Sequence, residues 1–313
     1  MRRRLAVRCI ALASAVLVLV SRAGAIAQDE PPYTIRSDVR LVLLDVAVTD
    51  HRGALVAGLT RRNFDVTENG LSQPITVFAN DDVPVTVGIL VDESLSMAPK
   101  RAEVLSAAET LIAKSNPKDE VFVLNFNEHV TRGLPNGLLF SDDIGQLRAA
   151  LHRGMPQGRT ALNDAIVEGL QQLEMGRCGK KTLVVISDGG DNASHAGRKD
   201  MLARVEKSLA TIYTIGVSSP GDPDRDLGLL KELARVSGGE AHFPADLSSM
   251  APICIGIAQE IRSRYTIGYP PPPAHASALR RIQVYVTAPG HSHLTARTRT
   301  SYSYEPAENP DNK

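Results

Sequence analysis

The chain has 313 residues, of which 43% are hydrophobic and 22% are charged, so it can bury a substantial core in one large domain or two small ones. This composition excludes intrinsic disorder as the main state. The 35 basic and 35 acidic side chains balance, which excludes the strongly basic surface typical of nucleic-acid-binding proteins.

The first 27 residues have the pattern of an export signal. Residues 1–8 form a positively charged segment and residues 9–20 form an apolar one. Ala25-Ile26-Ala27 then supplies small residues for cleavage near Ala27. The apolar run is shorter than the roughly 20 residues that a membrane-spanning helix needs. We therefore expect a secreted, periplasmic or cell-envelope protein that is not inserted in the membrane after cleavage. The alternative is an uncleaved N-terminal membrane anchor over residues 5–20. Cleavage removes five arginines, leaving 30 basic against 35 acidic side chains, a mildly acidic chain.

The pattern divides the rest of the chain into four parts. Residues 28–80 form a β-rich segment with turn signals at Arg52-Gly53 and Asn69-Gly70, typical of antiparallel hairpins. Residues 83–264 form an α/β domain. Residues 265–304 return to β-rich alternation after four prolines, and residues 305–313 are a polar tail. Because the two β-rich segments share the same alternating pattern, we expect them to pair into a small β-sandwich that serves as a stalk or docking unit.

The middle part has the pattern of a doubly wound, mostly parallel sheet. Residues 85–91, 182–187 and 211–217 are short continuous apolar runs, which indicates strands buried on both faces. Residues 121–126 and 129–132 predict a hairpin. Amphipathic patterns predict helices over residues 99–114, 161–175, 226–236 and 247–261. Such sheets bind ligands outside the carboxyl ends of their strands, so the residues after Val91 and Ser187 are the first candidates for a site.

Two cysteines, Cys178 and Cys254, lie beyond the predicted signal. In an oxidising compartment a cysteine pair can form a disulfide, and the sequence leaves open whether these two meet. They cannot form a four-ligand zinc site by themselves.

Oxygen-bearing side chains follow the predicted strands. "DESLSM" contributes Asp92, Ser94 and Ser96, "GRTALNDA" contributes Thr160, and "ISDGGDN" contributes Asp188. Each segment alone has a simpler explanation, since the first can cap a helix, Thr160 can be an N-cap, and Asp-Gly-Gly is an ordinary turn. All three lie at the same edge of one predicted sheet, however. Two carboxylates and three hydroxyls suit a hard divalent ion such as Mg²⁺, which also retains waters.

The three segments together resemble the von Willebrand factor A (VWA) domain and its metal-ion-dependent adhesion site (MIDAS), over about residues 83–264. The resemblance implies Mg²⁺, or alternatively Mn²⁺ or Ca²⁺, held among Asp92, Ser94, Ser96, Thr160 and Asp188. The whole chain also resembles secreted bacterial VWA-related proteins, through "VTDHRGALVAGLTRRNFDVTENG" and "RYTIGYPP". Leu95 departs from the family, where Gly is frequent at this position. A side chain there can reshape the loop, but it removes no oxygen donor.

Recognition is the function that this donor set implies. Hydroxyl and water ligands leave the metal with net positive charge and an exchangeable position, which favours an exposed Asp or Glu on a protein partner. We therefore expect a binding protein that is not an enzyme and has no nucleic-acid partner. We expect the neighbouring Glu93 and Asp191 to be solvated loop charges, the alternative being that they tune the site.

Two other classes of function stay open. A metal-dependent hydrolase could use Ser94 or an activated water, although no histidine is placed to assist Ser94, since His129, His195 and His242 fall in a hairpin, a loop and a strand end. A structural or assembly component of an envelope complex is the second alternative. In that class the helix predicted over residues 247–261 could transmit metal occupancy to the β-rich part.

Overall fold

The computed structural model describes residues 41–217, 225–273 and 278–304. The predicted signal over residues 1–27, the start of the N-terminal β-rich segment and the polar tail over residues 305–313 lie outside these ranges. Among the described residues, no helix combines the length and the apolar character needed to cross a membrane.

A six-stranded sheet forms the centre of the α/β part, in the strand order β10-β9-β8-β5-β6-β7. Five of its strands are parallel, and β7 pairs antiparallel with β6, which confirms the predicted hairpin. Every residue of β5 is buried, as its continuous apolar run predicts. The strands are β5 (Val85–Asp92), β6 (Glu120–Phe126), β7 (Val130–Arg132), β8 (Lys180–Ser187), β9 (Thr211–Gly216) and β10 (Ala241–His242).

In the described ranges six α-helices accompany the central sheet, five between its strands and one after its last strand, and they pack in two groups. The first helix packs on the second and the last, while the third packs on the fourth and the fourth on the fifth. Two groups of helices are what a doubly wound sheet covered on both faces requires. The helices are α1 (Arg101–Lys114), α2 (Ile144–Leu151), α3 (Leu162–Glu174), α4 (Arg198–Lys207), α5 (Leu227–Ser237) and α6 (Met250–Ser263).

Two helices begin later than the sequence predicted, and two, α2 and α4, lie outside the predicted helical ranges. The segments Leu95–Lys100 and Leu247–Ser249 are 3-10 helices, so α1 begins at Arg101 and α6 begins at Met250. Helix α2 has only 8 residues. Its two turns are too short for a clear helical period, and the Asp143 side chain that caps it is the better signal.

The β-rich segments at the two ends of the chain pair with each other, which confirms the predicted additional β module. Two four-stranded sheets form, in the orders β13-β1-β11-β4 and β14-β12-β2-β3. Their inward side chains share one apolar core, which contains the contacting rings of Phe64, Phe78 and Tyr265. The strands are β1 (Val42–Thr49), β2 (Phe64–Glu68), β3 (Leu71–Gln73), β4 (Val77–Ala79), β11 (Tyr265–Tyr269), β12 (Ala278–Val286), β13 (Thr295–Arg297) and β14 (Ser301–Tyr304).

Hairpins explain only part of this β-sandwich. Strands β2 and β3 form the hairpin predicted at Asn69-Gly70, where both residues have positive φ. By contrast, β1 pairs with β11 and β13, which lie more than 200 residues further along the chain. The turn predicted at Arg52-Gly53 does follow β1, where Thr49 pairs antiparallel with Leu55 and Gly53 has positive φ, but the strands that pair with β1 are the distant ones.

The two cysteines in the described residues are free thiols. Cys178 is partly exposed just before β8, and Cys254 is buried in α6.

Candidate metal centre

The predicted site residues lie at the carboxyl edge of the central sheet. Asp92 is the last residue of β5, and Ser187 ends the neighbouring β8. In the parallel pairing Val91 lies opposite Ile186, so both strands end at the same level and the next residues of each enter adjacent loops. This places Asp92 and Asp188 side by side, as expected for residues that follow parallel strands.

Hydrogen bonds join four of the five predicted side chains in one network. The Ser96 hydroxyl donates to Asp188 Oδ2 at 2.7 Å, and the Ser94 and Ser96 hydroxyl oxygens are 3.1 Å apart. Asp92 Oδ1 accepts from the Ser94 N–H at 2.9 Å, while Asp92 Oδ2 accepts from the Ser187 hydroxyl at 2.6 Å. Asp92, Ser94 and Asp188 are buried and Ser96 is exposed, so the network reaches solvent at Ser96.

Thr160 lies in a third loop, which is hydrogen-bonded to the loop after β5 and to the loop after β8. Its N–H donates to Asn192 Oδ1 at 2.9 Å, and its carbonyl accepts from the N–H groups of Asn192 and Ala193, each at 3.0 Å. The same loop accepts a hydrogen bond from the Leu95 N–H at the carbonyl of Gly158, 3.2 Å away. Backbone contacts therefore hold Thr160, which is 5% exposed, between the loop after β5 and the loop after β8.

The charge at this edge of the sheet is negative and buried. Burial raises the pKa of the Asp92 carboxyl to about 7, against the lowering effect of hydrogen bonds from Ser187 and Ser94, and the neighbouring Asp188 raises it further. In the part of the chain that the structure describes, no Lys, Arg or His nitrogen lies within 4.0 Å of either carboxylate. Two adjacent carboxylates without a protein counter-charge, together with three hydroxyls, fit a hard divalent cation.

The donors predicted at this edge are carboxylates and hydroxyls. Across the described ranges there is no cluster of three or more His, Cys, Asp or Glu side chains suited to a metal. The five residues predicted here contain only two such side chains, and their role in metal binding stays a prediction.

The structure corrects the prediction for the two neighbouring acids. Glu93 was expected to be solvated, but it is 1% exposed and forms a 2.8 Å ion pair with Arg101. Arg101 also donates to the carbonyl of Gly154 at 2.6 Å, which connects the loop after β5 to the loop that leads to Thr160. Asp191 is half-buried, and it accepts from the Asn163 N–H and from the Ser194 hydroxyl, each at 2.7 Å.

Sequence reasoning missed two features of the site. Ser187 bonds directly to Asp92, and its position at the end of β8, next to the end of β5, is the signal that could have revealed it. The Leu95 side chain is 65% exposed and therefore contributes an apolar group to the outer surface of the site.

Comparison with solved structures shows the same fold. A protein described as von Willebrand factor type A from Catenulispora acidiphila is 15% identical, with a TM-score of 0.52 over 88% of this chain and 76% of that one. Proximal thread matrix protein 1 from the mussel byssus is 15% identical, with a TM-score of 0.47 over 57% of this chain and 48% of that one. The domain of a type V pili tip protein from Porphyromonas gingivalis is 12% identical, with a TM-score of 0.47 over 57% of this chain and 95% of that one.

Sequence comparison finds a match over part of the α/β domain. No curated protein matches the chain. Residues 87–190, however, match the family model of the von Willebrand factor type A domain, and this range contains all five predicted metal-site residues. Residues 87–190 therefore match the von Willebrand factor type A domain.

Proposed function

We propose that the chain binds a divalent cation, Mg²⁺ before Mn²⁺ or Ca²⁺, at the carboxyl edge of its central sheet. Asp92, Ser94, Ser96, Thr160 and Asp188 would hold the ion directly or through water. The observation that carries the proposal is the hydrogen-bonded network of Asp92, Ser94, Ser96 and Asp188, which has no protein counter-charge among the described residues.

The bound ion would serve recognition of a protein partner. VWA domains generally mediate protein–protein interactions, and an ion whose remaining ligands are neutral hydroxyls and waters keeps an exchangeable position at which an anionic group from outside can replace a water. We propose an exposed Asp or Glu on the partner as that group. The predicted export signal supports an encounter outside the cytoplasm, in the cell envelope or beyond it.

We further propose that the site binds its partner without turnover. The Ser94 hydroxyl lies 3.1 Å from the Ser96 hydroxyl, within the ion-binding network. His195 instead contacts Asp164 at 3.2 Å on an exposed surface. Magnesium-dependent hydrolysis of phosphoester or peptide substrates, lost in Ser94→Ala, would overturn this part of the proposal.

Calorimetric titration with Mg²⁺ and Mn²⁺ tests the metal site. We expect saturable binding to the wild-type protein and none to Asp92→Ala or Asp188→Ala, with the circular dichroism spectrum of each variant unchanged. The exposed Asp142, changed to Ala, is the matched control and should leave binding intact. Unaltered titrations in both site variants would refute the assignment. Partner binding is tested separately, by capture that requires Mg²⁺ and is competed by a peptide with an exposed Glu.

A further inference from the structure

A second candidate site lies at the opposite edge of the central sheet. A cavity of about 780 Å³ separates this edge from the β-sandwich. Its wall includes Pro84 before β5, Lys180 at the start of β8 and Thr211 at the start of β9, together with Leu43 of β1 and Thr266 of β11. Pro84, Lys180 and Thr211 mark the amino ends of parallel strands, and the carboxyl ends of two of these strands, β5 and β8, carry the candidate metal centre. The volume falls in the range of about 300–1,000 Å³ that is typical of small-molecule sites, which often lie between structural units.

One part of the cavity is apolar. Leu43, Val83 and Leu209 line it, although they are 48%, 39% and 67% exposed. They belong to different elements, so their convergence on one cavity is produced by the tertiary fold. A second cavity of about 420 Å³ adjoins the first and shares Leu43 and Leu209 with it, which extends the apolar surface.

The buried, positively charged side chain of Arg299 lies where the two cavities meet. Arg299 lines both, is 6% exposed, and donates a hydrogen bond to the carbonyl of Ser208. Across residues 41–217, 225–273 and 278–304 no carboxylate oxygen lies within 4.0 Å of its guanidinium. The adjacent Thr298 also lines the larger cavity, and its buried hydroxyl has no hydrogen-bond partner among these residues. The carboxylate of Asp45 acts on Arg299 only at longer range and is itself paired with Lys180. A buried charge without a counter-charge in contact costs free energy, which an anion from solution would offset.

The remaining charges around the larger cavity favour the same sign of ligand. Arg177 is paired with Glu120 at 2.7 Å, and Lys180 is paired with Asp45 at 3.5 Å. Within each pair the two charges neutralise each other. Arg299 and Lys118 then leave the cavity wall with a net positive charge. A ligand that fits this cavity therefore combines a hydrocarbon portion with a single negative head.

We propose that the cavity binds an amphipathic carboxylate of the fatty-acid class. The hydrocarbon chain would lie against Leu43, Val83 and Leu209, and the carboxylate would accept hydrogen bonds from Arg299 and Thr298. This site is independent of the metal centre and involves none of its residues.

Cys178 supplies a local measurement of occupancy because its partly exposed thiol lines the same cavity. The full chain is treated with a thiol reagent in the presence of dodecanoate or dodecylammonium, each below its micelle concentration, or of dodecanol below its solubility limit. The Cys178→Ser variant gives the background labelling of the other cysteines. We expect dodecanoate to protect Cys178 at about tenfold lower concentration than dodecanol, because a hydrogen bond to a charged group is stronger than one to a neutral group. Dodecylammonium should protect least.

Two variants locate the carboxylate. Arg299→Met and the nearly isosteric Thr298→Val should each raise the dodecanoate concentration needed for protection, whereas Lys114→Met at the end of α1, outside the cavity wall, should not. If Arg299→Met does not fold, the dodecanoate concentration needed for protection in Thr298→Val tests the proposal by itself. Absence of protection by dodecanoate, equal protection by all three amphiphiles, or full protection in both variants would overturn the proposal. Asp188→Ala should leave protection unchanged, so failure of the metal proposal is distinguishable from failure of this one.

Discussion

At the scale of single residues, Ser187 positions the most buried acid of the metal centre. Its hydroxyl donates to Asp92 Oδ2 at 2.6 Å and accepts from the Gly189 N–H at 3.0 Å. The serine thereby fixes one carboxylate oxygen, while the Ser94 N–H fixes the other at 2.9 Å. A carboxylate held at both oxygens is oriented before an ion arrives, which reduces the entropy lost on binding.

We expect Ser187→Ala to weaken Mg²⁺ and Mn²⁺ binding by about 10-fold to 100-fold, the usual effect of removing a group that orients a metal ligand. The measurement is calorimetric titration, with thermal unfolding as the check on folding. Ser115→Ala is the matched control, because Ser115 bonds to the carbonyl of Leu111 at the end of α1, away from the site. Equal affinities in Ser187→Ala and the wild type would contradict this role.

At the scale of elements, the start of α3 is stabilised from a distant loop. The residue at its N-cap position is Ala161, which has no side-chain acceptor. Asp191, from the loop after β8, accepts from the Asn163 N–H in the first turn at 2.7 Å, and in return Asp164 of α3 accepts from the Ala196 N–H at 2.8 Å. These reciprocal bonds tie α3, which directly follows Thr160, to the loop of Asp188.

Asp191→Ala should lower the free energy of unfolding by about 1 kcal/mol, the typical cost of losing an N-cap acceptor. Urea denaturation measures the change. Because the same loop carries Asp188, we also expect a weaker Mg²⁺ titration in this variant. Asp142→Ala, which changes an exposed acid just before α2, should alter neither quantity. A stability indistinguishable from that of the wild type would show that Asp191 does not cap α3.

At the scale of the whole molecule, Arg264 joins the α/β domain to the β-sandwich. It lies between α6 and β11 and is 3% exposed. Its guanidinium donates to Tyr213 Oη at 2.9 Å, to Glu260 Oε1 at 3.2 Å and to the carbonyl of Asp45 in β1 at 2.9 Å. The two parts therefore share one buried polar cluster, and the end of α6 is held by contacts to both.

This cluster makes the free energy of unfolding depend on pH. Burial raises the pKa of Glu260, but the charges of Arg264 and Arg297 and the Tyr213 hydroxyl outweigh burial, so the pKa lies below its ordinary value. A depressed carboxyl pKa contributes stability above the unfolded pKa of about 4.3, and this contribution is lost as the pH falls below that value. The charge of Glu260 also acts on the neighbouring His242, whose pKa burial lowers and Glu260 raises.

We expect the difference in unfolding free energy between the wild type and Glu260→Gln to be largest near neutral pH and to shrink below about pH 4.3. Urea denaturation at a series of pH values measures it. Glu168→Gln, which changes an acid in a more exposed pair with Arg132, should show a much smaller dependence. A difference that stays constant down to acid pH would show that the Glu260 carboxylate does not contribute in this way.

The sequence alone determined the class of the fold and the place of the site. Continuous apolar runs before Asp92 and Asp188 indicate buried parallel strands, and residues after such strands meet at one edge for geometric reasons alone. The alternating segments at both ends likewise had to bury one face each, and they do so against each other.

Only the tertiary structure decided which partners those residues meet. Glu93 lies in a polar loop, so its pattern indicates exposure, yet packing buries it against Arg101. The pairing of β1 with β11, the capping of α3 by Asp191 and the cavity around Arg299 all join residues that are far apart in the chain. Periodicity reports which face of an element is buried, because that face repeats locally. It carries no information about which distant element covers that face, because the identity of that partner depends on how the whole chain packs.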